Sequence, residues 1–121
     1  MSLPLKKFVV AWQGIADAFK TQLHFKIHCL IAIAVLTAAV LFDVEPWEWC
    51  VLILTIGWVL SAELLNTAIE HLGDAVTTEI HPLVGKAKDV AAGAVLCAGG
   101  FAIVIGIIIF LPYLLQIFRA E

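Results

Sequence analysis

The chain has 121 residues, of which 63% are hydrophobic and only 14% charged, with a mean hydropathy of +1.05. Soluble domains average about 25% charged residues, and a single domain this apolar could not cover its surface in water, so part of its solvent must be lipid. A formal net charge of −3 with no basic patch gives no footing for a nucleic-acid partner.

Lys6 and Lys7 precede a segment carrying Gln13, Asp17, Lys20, His24 and Lys26. No apolar core of a secretory signal lies there, so no cleavage is expected. Residues 5–26 instead read as an amphipathic helix. Phe8, Ala11, Trp12, Ile15, Ala18, Phe19, Leu23 and Phe25 supply the apolar face, and the lysines, Gln13 and Asp17 the other. A basic amphipathic helix bearing Trp and Phe lies in the membrane interface rather than across it.

Residues 27–42 contain no charged side chain and form the first predicted transmembrane helix. At about 24 Å they are short for a span, a deficit that snorkelling by Lys26 can cover. Asp43 to Glu48 is a turn, with Pro46 suited to a first helical turn and Trp47 and Trp49 to the interface. A second helix spans 47–76, apolar first and then polar. His81-Pro82 and Gly85 mark a loop over 77–86. A third helix is expected over 90–115 within an uncharged run, ending near Pro112. Ala91, Ala92, Gly93, Ala94 and Ala98 let a neighbouring helix approach closely. Cys29, Cys50 and Cys97 sit in apolar runs without pairing distances and read as small buried hydrophobes.

Lys6, Lys7, Lys20 and Lys26 lie before the first span and Lys86 and Lys88 before the third, whereas the turn between the first two spans has only acids. The positive-inside rule places the N-terminus and the Lys88 loop in the cytoplasm. Arg119 is a weak contrary vote.

The second helix carries the chemistry. Glu63, Asn66, Glu70 and Asp74 fall within an arc of about 80° at roughly 100° per residue. Carboxylates stacked along one face repel, so something cationic must offset them. Divalent metal with a lysine beside it is the natural candidate. Such a set suits phosphoryl transfer, which requires Mg²⁺ on oxygen ligands, a cation near the phosphates and an acceptor for the attacking hydroxyl's proton. Glu63, the deepest acid, is the candidate base. Glu70 and Asp74 suit the metal–nucleotide end, and Lys88 suits the phosphates. No G-x-x-x-x-G-K-[ST] loop is present, which excludes a P-loop kinase. The competing class is a small ion- or proton-coupled transporter, because intramembrane carboxylates also mark proton relays.

The runs Ala62-Glu63-Leu64-Leu65-Asn66-Thr67-Ala68-Ile69-Glu70, then Asp74, His81-Pro82-Leu83 and Ala87-Lys88-Asp89-Val90-Ala91-Ala92-Gly93 closely resemble the prokaryotic diacylglycerol kinase family. That family consists of small integral-membrane lipid kinases and includes the undecaprenol kinases. The similarity extends upstream through Gly14-Ile15, Ala18-Phe19 and Phe25-Lys26-Ile27-His28. It implies an all-α homotrimer in the bacterial cytoplasmic membrane, each protomer having an interfacial helix and three transmembrane helices. It further implies composite sites that move the ATP γ-phosphate to a lipid hydroxyl with Mg²⁺. Carried over by position, Glu63 looks like the general base, Asn66 a supporting residue and Glu70 a magnesium ligand. Asp74, Glu79, His81, Lys88 and Asp89 match positions around the nucleotide. Trp12 and Ala92 join Glu63 on the lipid-substrate side. Gln22 stands where the family usually has a second metal-binding glutamate, and an amide is a weaker Mg²⁺ ligand than a carboxylate. A weakly active family member is therefore a further alternative. His28 reads as a structural residue, His24 and His71 as solvated ones.

Overall fold

Four α-helices arise where prolines and short polar stretches interrupt the apolar runs. In the computed structural model, which describes residues 2–120, they are α1 (Leu3–Thr21), α2 (Leu23–Leu41), α3 (Pro46–Val76) and α4 (Pro82–Ala120). The last three are long and apolar enough to cross a membrane. At 31 and 39 residues, α3 and α4 reach about 46 and 58 Å, well beyond the roughly 30 Å hydrocarbon core. Both must therefore project past the lipid.

The helix expected over 5–26 divides earlier than the hydrophobic pattern indicates. Gln22 is extended (φ −108°, ψ 110°) and serves both as the end of α1 and the start of α2. Its N–H still closes the last turn of α1 on the Ala18 carbonyl at 2.8 Å. The change of direction buries Phe25 while Leu23 and Ile27 stay exposed. The first membrane helix accordingly takes in residues 23–26 and gains the length that residues 27–42 lacked.

Between α2 and α3 the chain turns on Asp43 (φ 51°), the one non-glycine residue with positive φ among the described residues. Aspartate tolerates this left-handed region better than most. Val44 N–H bonds to Ala39 O (3.2 Å) and Asp43 N–H to Val40 O (3.1 Å), which satisfies the terminal carbonyls of α2. Pro46 occupies the first turn of α3. Glu48 reaches back to accept the Glu45 N–H at 3.0 Å, and the Tyr113 hydroxyl of α4 donates to the same carboxylate oxygen. This buried acid ties the N-terminal end of α3 to the C-terminal part of α4 beside a core of Ala39, Val44, Leu52 and Ile109.

Helix α4 begins at Pro82, eight residues ahead of the span expected over 90–115, because the His81-Pro82 pair starts it rather than ending a loop. Proline suits the first turn, and His81 Nδ1 accepts the Leu83 and Val84 N–H groups at 3.2 and 3.4 Å. The loop thus shrinks to residues 77–81. At the other end the helix runs on through Pro112. A proline inside a helix removes one backbone bond, a loss that membrane helices accommodate by local adjustment. The main packing is α3 on α4, with α2 against α3 next. Ala98 of α4 is only 2% exposed, whereas Ala92 and Ala94 are exposed and a β-carbon at Gly93 would meet nothing within 4 Å. Of the expected small-residue cluster, Ala98 alone is buried within the chain.

Candidate active site

The polar half of α3 holds two ionic groups, one deep and one at the water-exposed end. Glu63 is the deep one, at 5% exposure. A carboxylate removed from water to this extent needs a partner. His28 of α2 provides it, with Nε2 lying 3.1 Å from Glu63 Oε1. One turn on, Asn66 points an amide oxygen inward that is buried and meets no donor among the described residues.

The outer group joins Glu70 and Asp74 of α3 to Lys88 of α4. Lys88 Nζ lies 2.6 Å from Asp74 Oδ1 and 3.4 Å from Glu70 Oε2. One ammonium therefore sits between two acids of the stripe, which removes part of their mutual repulsion. The lysine stem reaches them by crossing α3 over Gly73. A β-carbon there would lie 2.7 Å from Lys88 Cε and 3.1 Å from Val84 Cγ1. Absence of a side chain at Gly73 is what lets the stem pass.

Other residues singled out by the sequence are more scattered. Gln22 is at the α1–α2 break, where its amide reaches Thr21 Oγ1 at 3.5 Å. Glu79 and His81 are exposed in the α3–α4 loop. The Glu79 N–H is held by Thr77 Oγ1 at 3.1 Å, and His81 spends Nδ1 on capping α4. Asp89 is exposed one residue beyond Lys88. Trp12 is exposed on α1, edge-on to Phe8, and Ala92 is exposed on α4. A largely apolar groove of about 910 Å³ runs between α3 and α4, with Trp58, Leu65, Asn66, Ile69, Lys86 and Ala91 on its walls. Neither Trp12 nor Ala92 is among the residues that line it.

The His28–Glu63 contact is the feature that spacing along the chain does not reveal, since the two residues belong to different helices. A signal existed nonetheless: a buried acid requires a partner, and His28 is the titratable residue other than cysteine in α2 beyond Lys26.

The family described as Prokaryotic diacylglycerol kinase matches residues 9–110. An undecaprenol kinase of Bacillus subtilis is 45% identical over 109 residues, covering 90% of this chain and 89% of that protein. A diacylglycerol kinase of a Synechocystis species is 45% identical over 114 residues, which is 93% of this chain but 65% of the longer relative. Escherichia coli diacylglycerol kinase is 32% identical over 88 residues, or 73% and 72% of the two chains. These relatives are kinases by name, and the transporter reading draws no support from them. The match across most of the sequence shows that the chain belongs to the prokaryotic diacylglycerol kinase family and is a membrane lipid kinase.

Proposed function

We propose that this multi-pass membrane protein transfers the γ-phosphate of ATP to the hydroxyl of a membrane lipid, either diacylglycerol or undecaprenol, on the cytoplasmic side of a bacterial cytoplasmic membrane. The observation that carries this reading is the division of α3 into a buried carboxylate, Glu63, and an outer acid–lysine cluster on the same face. Glu63 Oε2 takes the proton of the lipid hydroxyl as its oxygen bonds to the γ-phosphorus. The bond from that phosphorus to the bridging oxygen of ADP breaks, and ADP leaves. Asn66 supports the acceptor end through its free amide oxygen. Lys88 shifts from the carboxylates to the phosphates, where a mobile point charge suits the developing negative charge.

Among the described residues no three acidic, His or Cys side chains gather around one point, so magnesium would arrive carrying phosphate and water in its shell, the form in which kinases use it. Glu63 and Glu70 are two helical turns apart, about 10.5 Å along the axis, so they cannot share one ion. Mg²⁺ characteristically binds one or two carboxylates and completes its shell with phosphate oxygens and water. Glu70 would hold it, with Gln22 a neutral and weaker contributor, and the ion would supply charge neutralisation at the phosphates. Asp74, Glu79, His81 and Asp89 surround the nucleotide end in this reading. The lysine distribution supports the cytoplasmic orientation, and the alternation of Lys6, Lys7 and Lys20 with Phe8, Trp12 and Phe19 supports an interfacial α1. Assembly as a homotrimer, with sites completed between protomers, follows the family resemblance. Trp12 and Ala92, exposed within one chain, would then contribute to the lipid side from that assembly.

The test is phosphate transfer from γ-labelled ATP in mixed micelles containing diacylglycerol or undecaprenol, run side by side. Labelled phosphatidic acid or undecaprenyl phosphate is expected. Labelling of neither lipid in the presence of Mg²⁺ overturns the proposal.

A further inference from the structure

The partner of the buried carboxylate has a role that follows from its position. His28 comes from α2, whereas Lys88, the partner of the outer acids, comes from α4. Its side chain is 24% exposed against 7% for that of Glu63. The ring also borders a 340 Å³ cavity between α2, α3 and α4, whose walls include Thr55, Val59, Gly99 and Ala102 and carry no other titratable group. Among the described residues Glu63 is the one carboxylate within ion-pair distance of the imidazole. Neither Asp17 of α1 nor any acid of α4 comes that close.

We propose that His28 is a positioning residue for the proton-accepting carboxylate. This rests on the reading of Glu63 as the base. Nε2 lies 3.1 Å from Glu63 Oε1, at ion-pair distance. In the tautomer with its proton on Nε2, a small turn of the ring aims that proton at Oε1 and restrains the carboxylate plane. Oε2 is then turned toward the lipid hydroxyl. A base oriented by a third group is the recurring arrangement where a proton must leave a hydroxyl as it attacks. The donor comes from another helix, so the geometry of the base depends on how α2 packs against α3. Small displacements of such a group can cost about a hundredfold in rate.

Two polar variants of different reach test this. In His28→Gln the amide nitrogen falls near the position of Nε2, whereas in His28→Asn it is too short to reach Glu63. The expected result is that His28→Asn lowers kcat by roughly ten- to a hundredfold with KM for ATP unchanged, and that His28→Gln recovers most of the loss. Packing alone would lower Tm in His28→Asn and leave kcat intact at a temperature where both variants are folded, so thermal unfolding is measured beside the kinetics. Wild-type kcat in His28→Asn overturns the proposal, and so does an equal loss in both variants. Should His28→Asn fail to fold, His28→Gln alone still decides, since a loss of kcat there equal to that of Glu63→Gln also overturns it. Glu63→Gln, measured alongside, separates this proposal from the reading beneath it. Full turnover in Glu63→Gln removes the base itself, whereas a dead Glu63→Gln with an active His28→Asn removes only the role of His28.

Discussion

Replacing Glu63 by Gln separates stability from catalysis, because the two depend on different properties of the same side chain. The substitution keeps the volume and an oxygen within reach of His28, 3.1 Å from the present carboxylate oxygen. It removes a charge from a site only 5% exposed. Exchanging a charge-assisted contact for a neutral one forfeits about 1 kcal/mol. Relief from burying the charge offsets this, since ions in low-dielectric surroundings carry a desolvation cost of several kcal/mol. The net change in stability should lie within about 1 kcal/mol, a shift in Tm of no more than roughly 4 °C. Turnover should fall much further. A general base contributes about 10²–10⁴-fold, equivalent to roughly 3–5 kcal/mol of barrier. The assay pairs label transfer to lipid in mixed micelles with thermal unfolding of the same preparation. Turnover within tenfold of wild type would refute the assignment of the base. A collapse of Tm with proportionate loss of activity would show instead that Glu63 is there to hold the helices together.

Three further substitutions probe the rest of the site and its frame. Glu70→Ala should raise the Mg²⁺ concentration for half-maximal activity by about tenfold or more, and an unchanged metal titration would contradict its role as ligand. Gly73→Ala adds a β-carbon 2.7 Å from Lys88 Cε, so the lysine must move. Helix propensity improves by about 1 kcal/mol, and Tm should hold or rise while KM for ATP increases about tenfold. Unaltered KM would show that the stem's path over α3 is immaterial. Tyr113→Phe removes the hydroxyl that reaches the buried Glu48, and should destabilise by about 1–3 kcal/mol in thermal unfolding. Turnover at permissive temperature should be unchanged, because Glu48 lies about 22 Å along α3 from Glu63.

The three membrane-crossing helices were legible because lipid imposes a simple rule: long stretches without charge must be helical and must span. The interruptions were less legible. Gln22 has nothing in its residue type to mark it as extended, and the division of α1 from α2 depends on where Phe25 is buried. His81-Pro82 reads equally well as the end of a loop and as the start of a helix. The choice depends on the His81 ring accepting two backbone N–H groups, which is local geometry rather than composition. The acidic stripe was visible from 3.6-residue periodicity, since Glu63, Asn66, Glu70 and Asp74 share one helix. Periodicity carries no information across helices. The approach of Lys88 over Gly73 and of His28 to Glu63 therefore required the packing of α3 against α4 and α2.

Central to the proposed function is a seat for a magnesium-bound triphosphate formed by the outer acids of α3 and Lys88. Calorimetric titration of ATP into the purified protein in micelles, with Mg²⁺ and then with the metal chelated, tests this most directly. Removal of the metal should weaken binding by at least about tenfold, or 1.4 kcal/mol. Equal affinity with and without Mg²⁺, or no measurable binding in its presence, would contradict it.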